Sequence, residues 1–185
     1  VRFLRLAIET LAGIPSILYG LFGLLFFCRI LGLGQSIIAG AFTVSIMILP
    51  VIIRTTEESL KAIPLSFREG SLALGTTKWQ TIWHVVLPSV FPGIVTASIL
   101  AIGRVVGEAA PVLLTVGIAK NLPTSVFQSG RTLTIHLYYL TKEAIHVDDF
   151  QTAFATASIL VLFVLIVNAA TRFFASKLSK NRGIN

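Results

Sequence analysis

The sequence predicts an all-α integral membrane protein, and three observations carry that prediction. Hydrophobic residues make up 55% of the chain and charged residues 12%, with a mean hydropathy of +0.87. A soluble domain of this length has no interior large enough to hide so much apolar surface. Four segments reach the roughly 20 apolar residues that a helix needs to cross the hydrocarbon core. Basic residues gather beside alternate ends of those segments, as the loops of a multi-pass protein require. The net charge of +7 therefore reads as loop bias, not as a nucleic-acid surface.

In chain order, the spans run approximately from Leu11 to Ile30, from Ser36 to Ile53, from Ser89 to Val116 and from Ala153 to Thr171. The first apolar run lacks a small-residue cleavage site and continues into helix, so it is not a removable signal peptide. Val1 in place of methionine reads as a truncated or processed chain. No repeat or low-complexity linker divides the sequence, so residues 1–185 are expected to form one membrane domain.

Orientation follows from the lysines and arginines. Arg2 and Arg5 precede the first span, Arg54, Lys61, Arg68 and Lys78 separate the second from the third, and Arg172, Lys177, Lys180 and Arg182 follow the fourth. The opposite side holds Arg29, Lys120, Arg131 and Lys142, with Glu143, Asp148 and Asp149 among them. Ten basic residues against four put the region between the second and third spans, and the C-terminus, in the cytoplasm.

That cytoplasmic region, about residues 57–88, is a polar island between apolar segments. Phe67, Leu72 and Leu74 can press on membrane helices or on a partner cleft, while Arg68, Glu69, Lys78 and Gln80 stay open to water. Amphipathicity alone fits either a partner-docking helix or a headgroup anchor. The spacing is more specific. Glu69-Gly70-Ser71, three residues, Gly75, nine residues, then Val85-Val86-Leu87-Pro88 resembles the EAA loop of ATP-binding-cassette permeases. Gly70 and Ser71 stand where that pattern has two alanines, and Val85 stands where it has isoleucine. A short helix, a turn at Gly75 and a second helix stopped at Pro88 are expected.

Ionised chemistry lies inside the third span, where Arg104 and Glu108 are four residues apart and so share a helix face. At 1.5 Å per residue from Ser89, Arg104 is about 20 Å along the helix, past the middle of the hydrocarbon core. Gly93, Ala97 and Ala101 continue the same stripe and make it narrow. Charges at that depth mark either a transport path or a static tie between helices, and the arginine-before-glutamate order weakens the static explanation.

Gly103 to Pro111 resembles the Arg-x-x-Gly-Glu-Thr-Ala-Pro signature of phosphate ABC transporter permeases, with Ala109 where threonine is usual. Leu11 to Gly23, which contains Gly13-Ile14-Pro15-Ser16, resembles the segment that opens the permease core of the same family. The resemblance covers most of the chain, and its short C-terminal extension is similar to the PstA-type subunit more than to its PstC-type partner. It implies a MetI-like ABC permease helical bundle that pairs with a homologous permease of PstC type, two cytoplasmic ATPase subunits and an extracytoplasmic phosphate-binding protein. It also implies that two N-terminal spans are missing from this chain. In this reading Arg104 and Glu108 belong to the substrate pathway, and Arg68, Glu69, Gly70, Ser71, Gly75 and Lys78 couple to the ATPase. The sequence contains no Gly-x-x-x-x-Gly-Lys-Ser/Thr phosphate loop, so ATP and magnesium are expected on the partner and no cofactor on this chain.

The remaining polar features carry less. Cys28 sits in an apolar run and reads as a small space-filler. His84, His136 and His146 lack the companions of a metal site. Tyr138 and Tyr139 fit an interfacial belt, and the segment from Ala119 to Gln151 is long enough to receive a binding protein. Permeases for sulfate or molybdate, an ion-coupled secondary carrier and a noncatalytic scaffold are the competing readings.

Overall fold

A computed structural model of the chain describes residues 2–144 and 147–180, all of whose regular structure is helical. The expectations placed on Val1, His146 and Arg182 lie outside those residues. Three helices are long and apolar enough to cross a membrane: Ile37–Lys61, Lys78–Val106 and Asp149–Thr171. A bent pair, Arg5–Ala12 and Ser16–Ile30, which meet at 99°, has the length and apolarity of a fourth when taken together as one span.

That bend corrects the first expected span. Leu11 and Ala12 belong to helix α1 (Arg2–Ala12), and the crossing itself is α2 (Ser16–Gly23) continued by a π-helical stretch, Leu24–Ile30. Pro15 causes the break: it stands at the N-cap with φ −56° and ψ 138°, and proline cannot supply the N–H that a continuous helix would use there. The corner is fastened by the Tyr19 hydroxyl, which donates to the Leu11 carbonyl at 2.7 Å. At its other end, α1 is held to α3 (Ile37–Lys61) by Arg5, which pairs with Glu57, and Lys61 joins the same carboxylate at 2.8 Å.

Helix α3 begins where Ser36 caps it, the Ser36 hydroxyl accepting from the Ala39 N–H at 3.3 Å. It leads into α4 (Leu65–Ala73) and α5 (Lys78–Thr81). Pro88 was expected to stop the second island helix, but the helix runs on. A π-helical stretch, Ile82–Val86, precedes α6 (Leu87–Val106), and the Leu87 N–H reaches back five residues to Ile82. The widened turn makes room for the proline ring that would otherwise strike a carbonyl one turn earlier.

The third expected span, Ser89 to Val116, is broken as well. α6 ends at Val106, and a separate short helix, α7 (Ala110–Thr115), follows the bend at Gly107–Ala109. A buried core joins α2, α3, α7 and α8 (Leu133–Glu143) through Tyr19, Val44, Met47, Val112, Val116 and Ile135. Small residues set the closest approaches: a Cβ at Gly20 would lie 2.7 Å from Pro111 Cα, and one at Gly93 would lie 2.9 Å from Ser59 Cβ. Cys28 is buried beside Phe27 and Ala39, its thiol 3.6 Å from the Thr115 carbonyl.

α9 (Val147–Lys180) packs on α6 and α8 along one side and otherwise shows Ile159, Leu162, Leu165 and Ile166 outward. Only lipid or another membrane helix can cover such a surface.

Candidate functional site

The expected functional residues form two separate sites at opposite ends of one helical run. Lys78 opens that run and Arg104 stands in its last turn, about 39 Å apart at 1.5 Å per residue.

At the island end, α4 stops at Ala73, and Gly75 turns the chain at φ +82° with its N–H donating to the Leu72 carbonyl at 3.0 Å. Nothing lies within 4 Å of a Cβ built there, so the glycine is required by the backbone angle and not by crowding. Thr77 then caps α5, its hydroxyl accepting from the Gln80 N–H while the Gln80 side chain accepts from the Thr77 N–H. Three hydroxyls close the hairpin: Ser71 lies 2.8 Å from Thr76 and 3.0 Å from Thr81, and Thr76 lies 3.0 Å from Thr81. Ser71 and Thr81 are buried.

The six expected coupling residues therefore divide. Glu69, Gly70, Gly75 and Lys78 are exposed, and Ser71 is turned inward to hold α4 on α5. Arg68 is half-buried and donates from Nη2 to the Leu60 carbonyl at 3.2 Å, which fastens α4 to the end of α3. A groove of ≈ 540 Å³ runs between Phe67, Gly70, Leu74, Gln80 and His84. Leu74 at its edge is 86% exposed, an apolar side chain open to a partner. Sequence reasoning missed the hydroxyl trio, whose only outward sign was serine at an alanine position.

At the other end, Arg104 and Glu108 do come together, but not on one helix. Glu108 lies past the end of α6, where the Gly107 and Glu108 N–H groups bond to the Arg104 and Val105 carbonyls at 3.2 and 3.1 Å. The guanidinium Nε is 3.5 Å from Glu108 Oε1, a loose pair. Its two side chains differ: Arg104 is 54% exposed and Glu108 16%. Below them Ala97 and Ala101 are buried, and Gly103 lies against Asn168 of α9, so the stripe is a packing face that ends in an outward-facing cation.

The segment after α7 is pinned to the start of α3, where the Ile37 and Ile38 N–H groups donate to Gln128 and Val126 carbonyls at 3.1 and 2.9 Å. Tyr138 and Tyr139 meet edge to face, and Arg131 lies over the Tyr139 ring at 4.7 Å. His84 Nδ1 is 3.1 Å from the Gln80 carbonyl. Among the described residues, no three histidine, cysteine or acidic side chains gather as a metal site would require.

A polar hairpin set between spanning helices and a charged pair at a helix break are features of membrane transport components. The chain belongs to the family of binding-protein-dependent transport system inner membrane components, which matches residues 2–180. It is a multi-pass membrane protein of that family. It is 36% identical over 196 residues to the probable ABC transporter permease protein YqgI of Bacillus subtilis (strain 168), a match that covers 99% of this chain and 67% of that protein. It is 35% identical over 180 residues to the phosphate transport system permease protein PstA of Mycobacterium leprae (strain TN), covering 96% of this chain and 59% of that one. The chain thus spans about three fifths of the length of the latter relative. Its fold is similar to a chain of the MetNI methionine ABC transporter in an inward-facing crystal form, with a TM-score of 0.73 and 22% identity over 95% of this chain and 74% of that one.

Proposed function

We propose that the chain is the PstA-type permease subunit of an ATP-driven importer of inorganic phosphate. In the complex it pairs with a PstC-type permease, two cytoplasmic ATPase subunits that carry ATP and magnesium, and an extracytoplasmic phosphate-binding protein. The island and the C-terminus lie in the cytoplasm, a placement that the distribution of basic residues supports. The chain binds no cofactor and hydrolyses nothing. The relatives named for phosphate transport support the substrate.

The observation that carries the mechanism is the half-exposed Arg104 guanidinium at the break in a membrane-crossing segment. A cation facing bare hydrocarbon is costly, so this face meets a water-filled path or the second permease. A guanidinium offers a fixed fork of donors matched to oxyanions. Glu108 balances that charge in the empty state and keeps phosphate from binding too tightly to leave.

Glu69, Gly70 and the Leu74 edge of the groove meet the ATPase. Closure of the ATPases pushes the hairpin as one piece, because the hydroxyl trio holds α4 on α5. Arg68 passes the displacement to α3, and Lys78 starts the helical run that passes it toward Arg104. The helices then exchange between inward-facing and outward-facing arrangements.

The test is uptake into proteoliposomes that contain the full-length permease with its partners. Phosphate import should require ATP and the binding protein, and excess sulfate or molybdate should not compete. Uptake driven by an ion gradient without the ATPase would identify a carrier instead, and competition by sulfate would move the assignment to another oxyanion. Arg104→Leu should assemble with the ATPase and lose import, with partial rescue by Arg104→Lys. Arg104→Leu combined with Glu108→Leu should assemble and stay inactive. Full flux in that double variant would reduce the pair to a structural tie, since matched apolar groups can replace paired charges.

A further inference from the structure

A second group of cations, on the face away from the island, has no part in the mechanism above. Lys120, Arg131, Leu133 and His136 line a recess of ≈ 450 Å³ at the start of α8.

Arg131 is fixed by neutral groups. Its Nε donates to the Ile118 carbonyl at 3.2 Å, its guanidinium stacks on Tyr139, and Nη1 approaches His136 Nδ1 at 3.5 Å. The imidazole thus lies beside the guanidinium at the mouth of the recess. Among the described residues Lys120 makes a long pair with Glu143, 3.9 Å between side chains that are 73% and 59% exposed. Such a contact contributes little and is readily exchanged. The 11-residue α8 also opens on the recess, with Thr132 as its cap and the Ile135 N–H satisfied by the Thr132 hydroxyl. The Leu133 N–H at the start of the helix adds a donor and the positive end of the helix dipole.

We propose that this recess is an oxyanion-collecting site that holds inorganic phosphate on the extracytoplasmic side before it reaches Arg104. The proposal rests on the importer reading above for its sidedness and its substrate. A planar fork held in place, an exposed ammonium, a neighbouring imidazole and a helix start suit a small tetrahedral anion approached from several directions. The same chemistry would accept a carboxylate of the binding protein, and the experiment separates the two sources.

The full-length permease, assembled with its partner permease and ATPases in nanodiscs without binding protein, is titrated with inorganic phosphate and followed by phosphorus NMR line broadening. The parent should broaden the phosphate signal saturably. Lys120→Gln combined with Arg131→Gln should weaken that binding by about tenfold or more, since two charge-assisted donors are lost. The single Lys120→Gln and Arg131→Lys variants should fall between, and they serve if the double variant does not assemble. Equal broadening by parent and double variant, or none by the parent, overturns the proposal. In a parallel ATPase assay with the binding protein added, variants that raise only its half-saturating concentration and leave the phosphate titration unchanged overturn it too, and assign the recess to a partner carboxylate. ATP-driven uptake by the parent is scored separately, so failure of the importer reading is distinguishable from failure of this site.

Discussion

At the scale of single residues, Gly75 and Ser71 act on the same hairpin by different physics. The backbone at Gly75 is left-handed with open space around it, so any side chain fits sterically and every L-residue is strained by about 1–2 kcal/mol, β-branched ones most. Gly75→Val should therefore leave the protein inserted in the membrane while ATP hydrolysis and phosphate uptake come apart. Normal uptake by an assembled Gly75→Val complex would remove the turn from the coupling mechanism. Ser71→Ala keeps the backbone and removes one corner of the hydroxyl trio, which costs about 0.5–1.5 kcal/mol for each hydrogen bond lost. Its expected signature is faster proteolysis between α4 and α5 with membrane insertion intact, and unchanged proteolysis would show that the trio does not hold the hairpin. Glu69, Gly75, Arg104 and Glu108 were legible in the sequence because fixed spacing ties each to a motif. The trio was not, since hydroxyls five residues apart follow neither the helical nor the strand period and their meeting depends on the turn between them.

At the scale of helices, hydropathy located the apolar segments but not the direction of the chain inside them. Leu11 and Ala12 are as apolar as the residues beyond Pro15, and a sliding average cannot register that the chain turns by 99° between them. Gly13 and Pro15 were the available signal. Pro88 misled in the opposite sense, because the rule that proline ends a helix assumes four-residue hydrogen bonds, and the π-helical stretch before it relaxes that condition. The break after Val106 was hidden because an apolar run resumes two residues beyond Gly107, after Glu108. It depends on α7 seating against α2, where Gly20 lets the two backbones meet. Gly20→Leu would place a branched side chain against Pro111 backbone, which cannot give way as a side-chain tip could. It should destabilise the detergent-solubilised protein by about 1–3 kcal/mol and lower its thermal midpoint, whereas Ile159→Leu on the outer face of α9 should leave the midpoint unchanged. Equal midpoints for Gly20→Leu and the parent would place the close crossing in doubt.

At the scale of the whole molecule, everything said of uptake depends on which side holds the island. The charge count assigns it to the cytoplasm, and the helix order allows a direct measurement of that assignment. Ser66 at the start of α4 and Thr124 in the segment after α7 are both exposed, and they lie on opposite sides if the chain crosses through α6 and α7. The sole cysteine, Cys28, is buried against Phe27 and Ala39 and can be changed to alanine to give a silent background. In that background Thr124→Cys should react in intact cells with a thiol reagent that cannot cross the membrane, and Ser66→Cys should react only after the cells are opened. The basic residues near the island make this outcome the electrostatically favoured one, because they resist transfer across the bilayer more than the sparser cations of the other side. The reverse labelling pattern would turn the molecule over. It would then place the Lys120 and Arg131 recess with the ATPase and the hairpin outside, and both the coupling assignment and the anion-collecting site would have to be abandoned together. Labelling of both positions in intact cells would instead mean that α6 and α7 do not form one crossing, and the break at Gly107 would then be a hairpin that returns to the side it came from.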